Sequence, residues 1–247
     1  MLQEERHQLI LTQINRDKKV HNDELSRSMK ISLDTVRRDL IELENDGKLI
    51  RVHGGAIAVD FNTPFQQKEI YAQKEKIQIA KKAMGLIKDD MTLLLGGGTV
   101  MLEFARLLPA ELKVTLFTVS PLIALEVAER SAIDVILLGG KVSRNSYICT
   151  GASVVSQIAE IKADICLMGT NGFSITDGIT DYDWEVVQVK KAMIRQSERT
   201  ALLSISEKKD SAHKLRVCGL HSIHYLITER APDDPVFSEY YGHCKVL

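Results

Sequence analysis

The feature that most restricts what this chain can fold into is a rhythm: between residues 92 and 227, short apolar runs recur and a helical stripe separates each from the next. The runs 92–95, 114–119, 135–138, 165–168, 201–204 and 225–227 read as strands. Amphipathic patterns near 100–108, 122–130, 152–161 and 184–197 lie between them. A strand, a helical crossover and another strand build a parallel sheet, so the expected class is α/β with a largely parallel sheet. In such a sheet, ligands sit outside the carboxyl ends of the strands.

Residues 1–58 keep a different pattern. A first helix is expected over 2–15, with Leu9, Ile10 and Ile14 on its buried stripe. A second begins at Asn22, an N-cap followed by Asp23 and Glu24 at the positive end of the helix dipole, with Leu25 and Met29 on one face. Lys30-Ile31-Ser32 makes a turn; Ser32 caps a third helix that runs to Asp46, and Gly47 takes the left-handed C′ position. Winding that helix at about 100° per residue places Leu33, Val36, Leu40 and Leu43 on a buried stripe. The opposite side presents Asp34, Thr35 and Arg38 with Arg37 on the flank, near the end where a recognition helix meets base edges and phosphates. Residues 48–57 hold two apolar stretches around Gly54-Gly55, the pattern of a β-wing, with Arg51 and His53 placed to lie near a phosphate or the minor groove.

The expected division is therefore an N-terminal winged helix-turn-helix over 1–58, a linker over 59–75, and a larger α/β domain over 76–247. A chain of 247 residues has room for one small and one large domain, and 45% hydrophobic residues suffice for real cores. Thr63-Pro64 reads as an N-cap and N1 pair that opens a helix over 65–88, with Ile77, Ala80, Met84 and Ile87 facing inward and linking the domains mechanically. Residues 1–60 carry 10 Lys and Arg against 11 Asp and Glu, so bulk charge does not point to nucleic acid; the placement of the arginines does. The chain opens without an apolar leader, and no run approaches the roughly 18–20 apolar residues of a membrane span, so a cytoplasmic protein without membrane partners is expected. Cys149, Cys166, Cys218 and Cys244 form no CxxC pair, and His221 with His224 lacks a third ligand, so neither disulfides nor a metal are expected.

The loops that follow the strands are rich in glycine: Gly96-Gly97-Gly98-Thr99, Gly139-Gly140-Lys141 and Gly169-Thr170-Asn171-Gly172, with Ser120-Pro121 after the second run. Backbone N–H groups in such loops converge on an anion at a helix N-terminus, a phosphate-binding device. A dinucleotide fingerprint is disfavoured, because its third glycine falls on Met101 and the second strand ends in Val119 rather than an acid; the P-loop Lys-Ser/Thr is also missing. No cofactor is expected. Asp181, Asp183 and Glu185 surround Trp184 at a helix start, Lys190 and Lys208 could neutralise a phosphate, and Trp184 itself reads as a packing residue.

Thr35-Val36-Arg37-Arg38-Asp39-Leu40, Leu43-Glu44, Gly47 and Arg51-Val52-His53-Gly54-Gly55-Ala56 resemble the signature of the DeoR family of bacterial transcription regulators. Glu75-Lys76, Gly98-Thr99, Ser120, Gly139-Gly140, Arg144, Gly151, Asp164, Gly169, Gly172, Gly178, Glu185, Lys190-Lys191 and Lys208 are similar to that family's effector domain. The resemblance implies that Ser32, Thr35, Arg37 and Arg38 contact operator DNA. It implies a sensor fold related to ribose-5-phosphate isomerase, a phosphorylated sugar or related effector, and a homo-oligomer. The effector site implied by loops and resemblance together comprises Gly96, Gly97, Gly98, Thr99, Ser120, Gly139, Gly140, Lys141, Arg144, Gly169, Asp181, Glu185, Lys190 and Lys208. Two family carboxylates are replaced, by Gly96 and by Ile205, and an isomerase needs such groups to move protons. A non-enzymatic repressor of a carbohydrate operon is thus the expected function; a sugar-phosphate isomerase with an accessory DNA-binding domain is the alternative.

Overall fold

The structure, a computed structural model, describes residues 1–17, 19–58 and 71–247. Its N-terminal body runs α1 (Gln3–Asp17), β1 (Lys19–His21), α2 (Asn22–Met29), α3 (Leu33–Asn45), β2 (Leu49–Val52) and β3 (Gly55–Ala58), with an antiparallel sheet in the order β1-β3-β2. Ile10, Ile14, Leu25, Val36, Leu40, Leu43 and Leu49 are fully buried and form one core. Leu33 departs from its expected place: at 38% exposure it sits at the helix edge, and Asp39 takes a buried position instead. Arg6 explains the burial of Asp39, donating through Nε at 2.7 Å and Nη2 at 2.8 Å, a fork that ties α1 to α3.

Capping follows the sequence at α3, where the Ser32 hydroxyl accepts from the Thr35 N–H at 3.1 Å, and Gly47 has φ of +69° just past the end. At α2 the cap shifts by one residue: His21 is the N-cap, without a side-chain bond, and Asn22 is already helical because His21 is held extended as the last residue of β1. With only three residues, β1 carries no strand pattern of its own in the sequence. Its approach is close: a Cβ on Gly55 would stand 1.9 Å from the Val20 carbonyl oxygen, so β1 and β3 can pair only over a glycine.

The larger body begins with α4 (Gln73–Met84), then β4 (Thr92–Leu95), α5 (Thr99–Leu107), β5 (Thr115–Thr118), α6 (Pro121–Arg130) and β6 (Asp134–Leu137). A short hairpin, β7 (Lys141–Val142) with β8 (Cys149–Thr150), leads to α7 (Ala152–Ala159) and β9 (Ala163–Gly169). After β10 (Gly172–Ser174) and β11 (Gly178–Asp181) come α8 (Trp184–Arg195), β12 (Ser197–Leu203), β13 (Leu215–Cys218), β14 (Tyr225–Ile227) and β15 (Lys245–Val246). Seven strands form one sheet in the order β15-β14-β12-β9-β4-β5-β6, every pairing parallel, and β10-β11-β13 form a small antiparallel sheet beside it.

Alternate residues of the central strands feed two cores. Leu94, Cys166, Met168 and Leu202 face α7 and α8, where Val154, Ile158, Val187 and Met193 lie. Leu93, Leu95, Ile165, Leu167 and Leu203 face the other way, onto Ile79, Phe104 and Ile123 of α4, α5 and α6. Burial on both faces is why these strands read as unbroken apolar runs. The expected 65–88 helix is revised: α4 ends at Met84 and buries Lys76, Ile79, Ala80 and Ala83, a face turned from the expected Ile77, Met84 and Ile87. Residues 59–70, including Thr63-Pro64, lie outside the described residues.

Candidate DNA interface and ligand cleft

On the winged body, the first turn of α3 and the wing face solvent together. Arg37, Arg38, Ser32, Arg51 and His53 are exposed and Thr35 is half-buried. A groove between α3 and the β2–β3 turn is lined by Asn22, Arg37, Arg51 and His53. Arg37 is held along the helix by Asp34 at 3.2 Å, and Glu44 steadies Arg51, accepting from its backbone N–H at 2.9 Å and lying 3.5 Å from its guanidinium. Arg38 has no partner among the described residues. Ser32 and Thr35 share a hydroxyl contact of 2.9 Å that presets both side chains at the helix N-terminus. Charge, fixed geometry and a helix end pointing outward suit a duplex groove.

In the larger body the strand order reverses direction at β4: the chain moves one way to β5 and β6 and the other way to β9 and β12. At that switch point the loops after β4 and β9 part and leave a crevice, with a cavity volume of about 160 Å³. Gly97, Gly98, Thr99, Gly169, Asp181, Lys190 and Lys208 are brought together there. Gly98 has φ 108° and ψ 164°, open only to glycine, which lets the chain swing into α5 with no side-chain cap on the first N–H groups. Those donors and the positive end of the helix face the crevice.

Charge in the crevice is organised. The Lys190 ammonium donates to Asp181 at 2.7 Å, and Asp181 also accepts from Asn171 Nδ2 at 3.0 Å and the Tyr182 N–H at 2.7 Å. Burial pushes this carboxyl up, but the Lys190 charge and the three hydrogen bonds outweigh it and hold the group at about 2. Lys208 donates to the Thr170 carbonyl at 2.8 Å, and the buried Lys76 donates to the Tyr71 carbonyl while lying over the Tyr71 ring. Asp183 caps α8, accepting from the N–H groups of Glu185 and Val186, and so is committed to the helix.

The remaining residues named from the sequence do not line the crevice. Gly96, Ser120 and Glu185 fall outside its wall, as do Gly139, Gly140, Lys141 and Arg144, which belong to the far strand β6 and the β7–β8 hairpin. The hairpin after β6 nevertheless reaches the wall through its tip and returning strand, where Asn145, Ser146 and Ile148 stand, so Arg144 misses the crevice by one position. A Cβ at Gly96 would stand 3.3 Å from Met168 Cβ, whereas Ile205 is buried and contributes an apolar side chain to the wall. Trp184 is not a packing residue: it is 61% exposed. The structure adds Lys48, Tyr71, Lys76, Thr170, Asn171 and Tyr182, and Asn145 and Ser146 from the β7–β8 hairpin. Thr170 and Asn171 stood inside a glycine loop already singled out; Lys48 and Tyr71 carry no local signal, because only the tertiary fold brings them to this place.

Two family models match the chain: the DeoR-like helix-turn-helix domain over residues 6–61 and the DeoR C terminal sensor domain over 71–230. The HTH-type transcriptional regulator GolR of Listeria innocua is 29% identical over 239 residues, which span 96% of this chain and 94% of that protein. The HTH-type transcriptional repressor GlcR of Bacillus subtilis is 31% identical over 239 residues, 94% of this chain and 91% of its own length. Among solved structures, ribose 5-phosphate isomerase A from Methanocaldococcus jannaschii aligns with 54% of this chain and 53% of its own at 20% identity and a TM-score of 0.41. With a helix-turn-helix joined to a matching sensor domain and relatives that run nearly its full length, the chain belongs to the DeoR family of DNA-binding transcription regulators.

Proposed function

We propose that this protein is a cytoplasmic repressor of a carbohydrate-related operon whose hold on operator DNA is set by a phosphorylated small molecule in the switch-point crevice. Residues 1–58 grip the duplex, 59–75 link, and 76–247 sense. The observation that carries the proposal is the uncapped N-terminus of α5 opening onto the same crevice as Lys76, Lys190 and Lys208, an arrangement suited to a phosphate. Ser32, Thr35, Arg37, Arg38, Arg51 and His53 are assigned to DNA; Gly97, Gly98, Thr99, Gly169, Asp181, Lys190 and Lys208 are assigned to the ligand.

The chemistry of the crevice supports sensing rather than turnover. A general acid or base works best with a pKa near the working pH. Asp181 is held at about 2 by its partners and so is not poised to shuttle a proton, while the Asp183 carboxylate is engaged by two N–H groups of the α8 cap. One recognition helix per chain reads one half-site, so two or more copies act together.

The test has two arms. Arg37→Ala and Arg38→Ala are each expected to cost about 1–3 kcal/mol of operator binding, read by gel shift, with the sedimentation profile unchanged. Operator affinity should also shift when the matching sugar phosphate is added and stay constant in Lys208→Ala. Unchanged DNA binding in the arginine variants, or conversion of aldose to ketose phosphates at ordinary enzyme rates, would overturn the proposal.

A further inference from the structure

The crevice is not built by the larger body alone. Lys48, in the turn between the recognition helix α3 and the wing strand β2, stands in its wall with Tyr71, Lys76 and Lys208. Its ion-pair partner, Asp46, is 3.8 Å away and well exposed, a weak contact that water screens. The ammonium can therefore turn to an anion in the crevice at little cost. A second junction lies beside it. Residues 205–208 face the crevice through Ile205 and Lys208, and α1 of the winged body lies against the turn Ser206–Lys208. Glu207 in the same turn accepts from the Tyr71 hydroxyl, which fastens that turn to the residues just before α4.

We propose that Lys48 is a ligand-contacting residue: a phosphorylated ligand is held across the boundary between the two bodies, by Lys48 from the DNA-binding side and by Lys76, Lys208 and the α5 N-terminus from the other. This rests on the reading of the crevice as an anion site and adds the partner that couples it to DNA. Lys48 follows the end of α3 by three residues, so an anion that pins its ammonium also fixes the attitude of the recognition helix. Ligand affinity then depends on where the winged body sits, and by linkage operator DNA and ligand alter each other's binding by one common factor.

The experiment titrates the full-length protein by calorimetry with inorganic phosphate, glycerol 3-phosphate, fructose 6-phosphate and glucose 6-phosphate, with and without an operator selected from random duplex DNA. Lys48→Met is expected to weaken the best probe about tenfold and to reduce a coupling of about tenfold or more to less than about threefold. It should leave operator affinity without probe within about twofold, and Lys48→Arg should keep most of the coupling. If Lys48→Met binds the probe and couples as the unaltered protein does, the inference is wrong and the anion-site reading stands. A Lys48→Met variant that weakens operator binding alone, with probe affinity unchanged, would assign Lys48 to DNA and also overturn the inference. Failure of every probe to bind the unaltered protein would remove the anion site itself, and this inference with it.

Discussion

Asp181 and Lys190 lie nine positions apart, across the turn from β11 into α8, and meet where both are almost out of reach of water. Replacing one partner strands the other. Asp181→Asn is expected to cost about 3–5 kcal/mol in thermal or urea unfolding, while Asp181→Leu combined with Lys190→Met recovers most of it. The carboxyl is more acidic folded than unfolded, so the pair contributes fully above pH about 4. Its contribution is lost as the pH falls through about 2, and Asp181→Asn should flatten that part of the acid-unfolding curve. Burial pushes the Cys166 thiol up to about 12 and the Cys218 and Cys244 thiols up to about 11. Because the thiolate is the reactive form, a disulfide reagent at pH 8 should modify these cysteines only on unfolding. Legibility at this scale follows distance along the chain: the Ser32 cap could be read because its partner is Thr35, whereas the Arg6–Asp39 fork and the Asp181–Lys190 pair join residues that only the fold makes neighbours.

At the level of elements, helices with a continuous apolar stripe were found from the sequence to within a residue or two, as α5, α6 and α8 show. The central strands were also found, because burial on both faces leaves an apolar run that nothing else in the chain imitates. Apart from the wing hairpin β2–β3, which its glycine pair announced, short antiparallel strands were missed. β1, β10 and β11 have three or four residues each, and their pairing is imposed by neighbours rather than by their own pattern. Gly55 makes the dependence concrete. Gly55→Ala drives a Cβ into the Val20 carbonyl and should break the β1–β3 ladder, costing about 2–3 kcal/mol of winged-body stability and loosening the wing, as amide exchange over residues 49–58 would reveal.

Across the whole molecule, the parallel α/β class was legible while the order of the strands was not. Nothing local marks β9 rather than β5 or β6 as the second neighbour of β4, and that choice sets the switch point. Ser120, Gly139, Gly140, Lys141 and Arg144 do not line the crevice, whereas Asn145, Ser146 and Ile148, further along the same hairpin and without a glycine between them, do. The core of the winged body is separate from the two cores that share the large sheet. Calorimetry should therefore resolve two transitions, and Leu40→Ala should lower only the one belonging to the winged body, by about 2–5 kcal/mol of its stability. Operator binding should fall steeply with ionic strength as phosphate contacts release counterions, and a proportionate loss of slope is expected in Arg38→Ala.

The place of β4 between β5 and β9 also dictates a timetable during synthesis. All the strands of the winged sheet come from the first 58 residues, whereas β4 stays open on one side until the segment Ala163–Gly169 has emerged. The part that holds DNA is therefore complete on the ribosome long before the part that listens for a metabolite exists. A message cut short between these points would yield a domain with nothing to tell it when to let go.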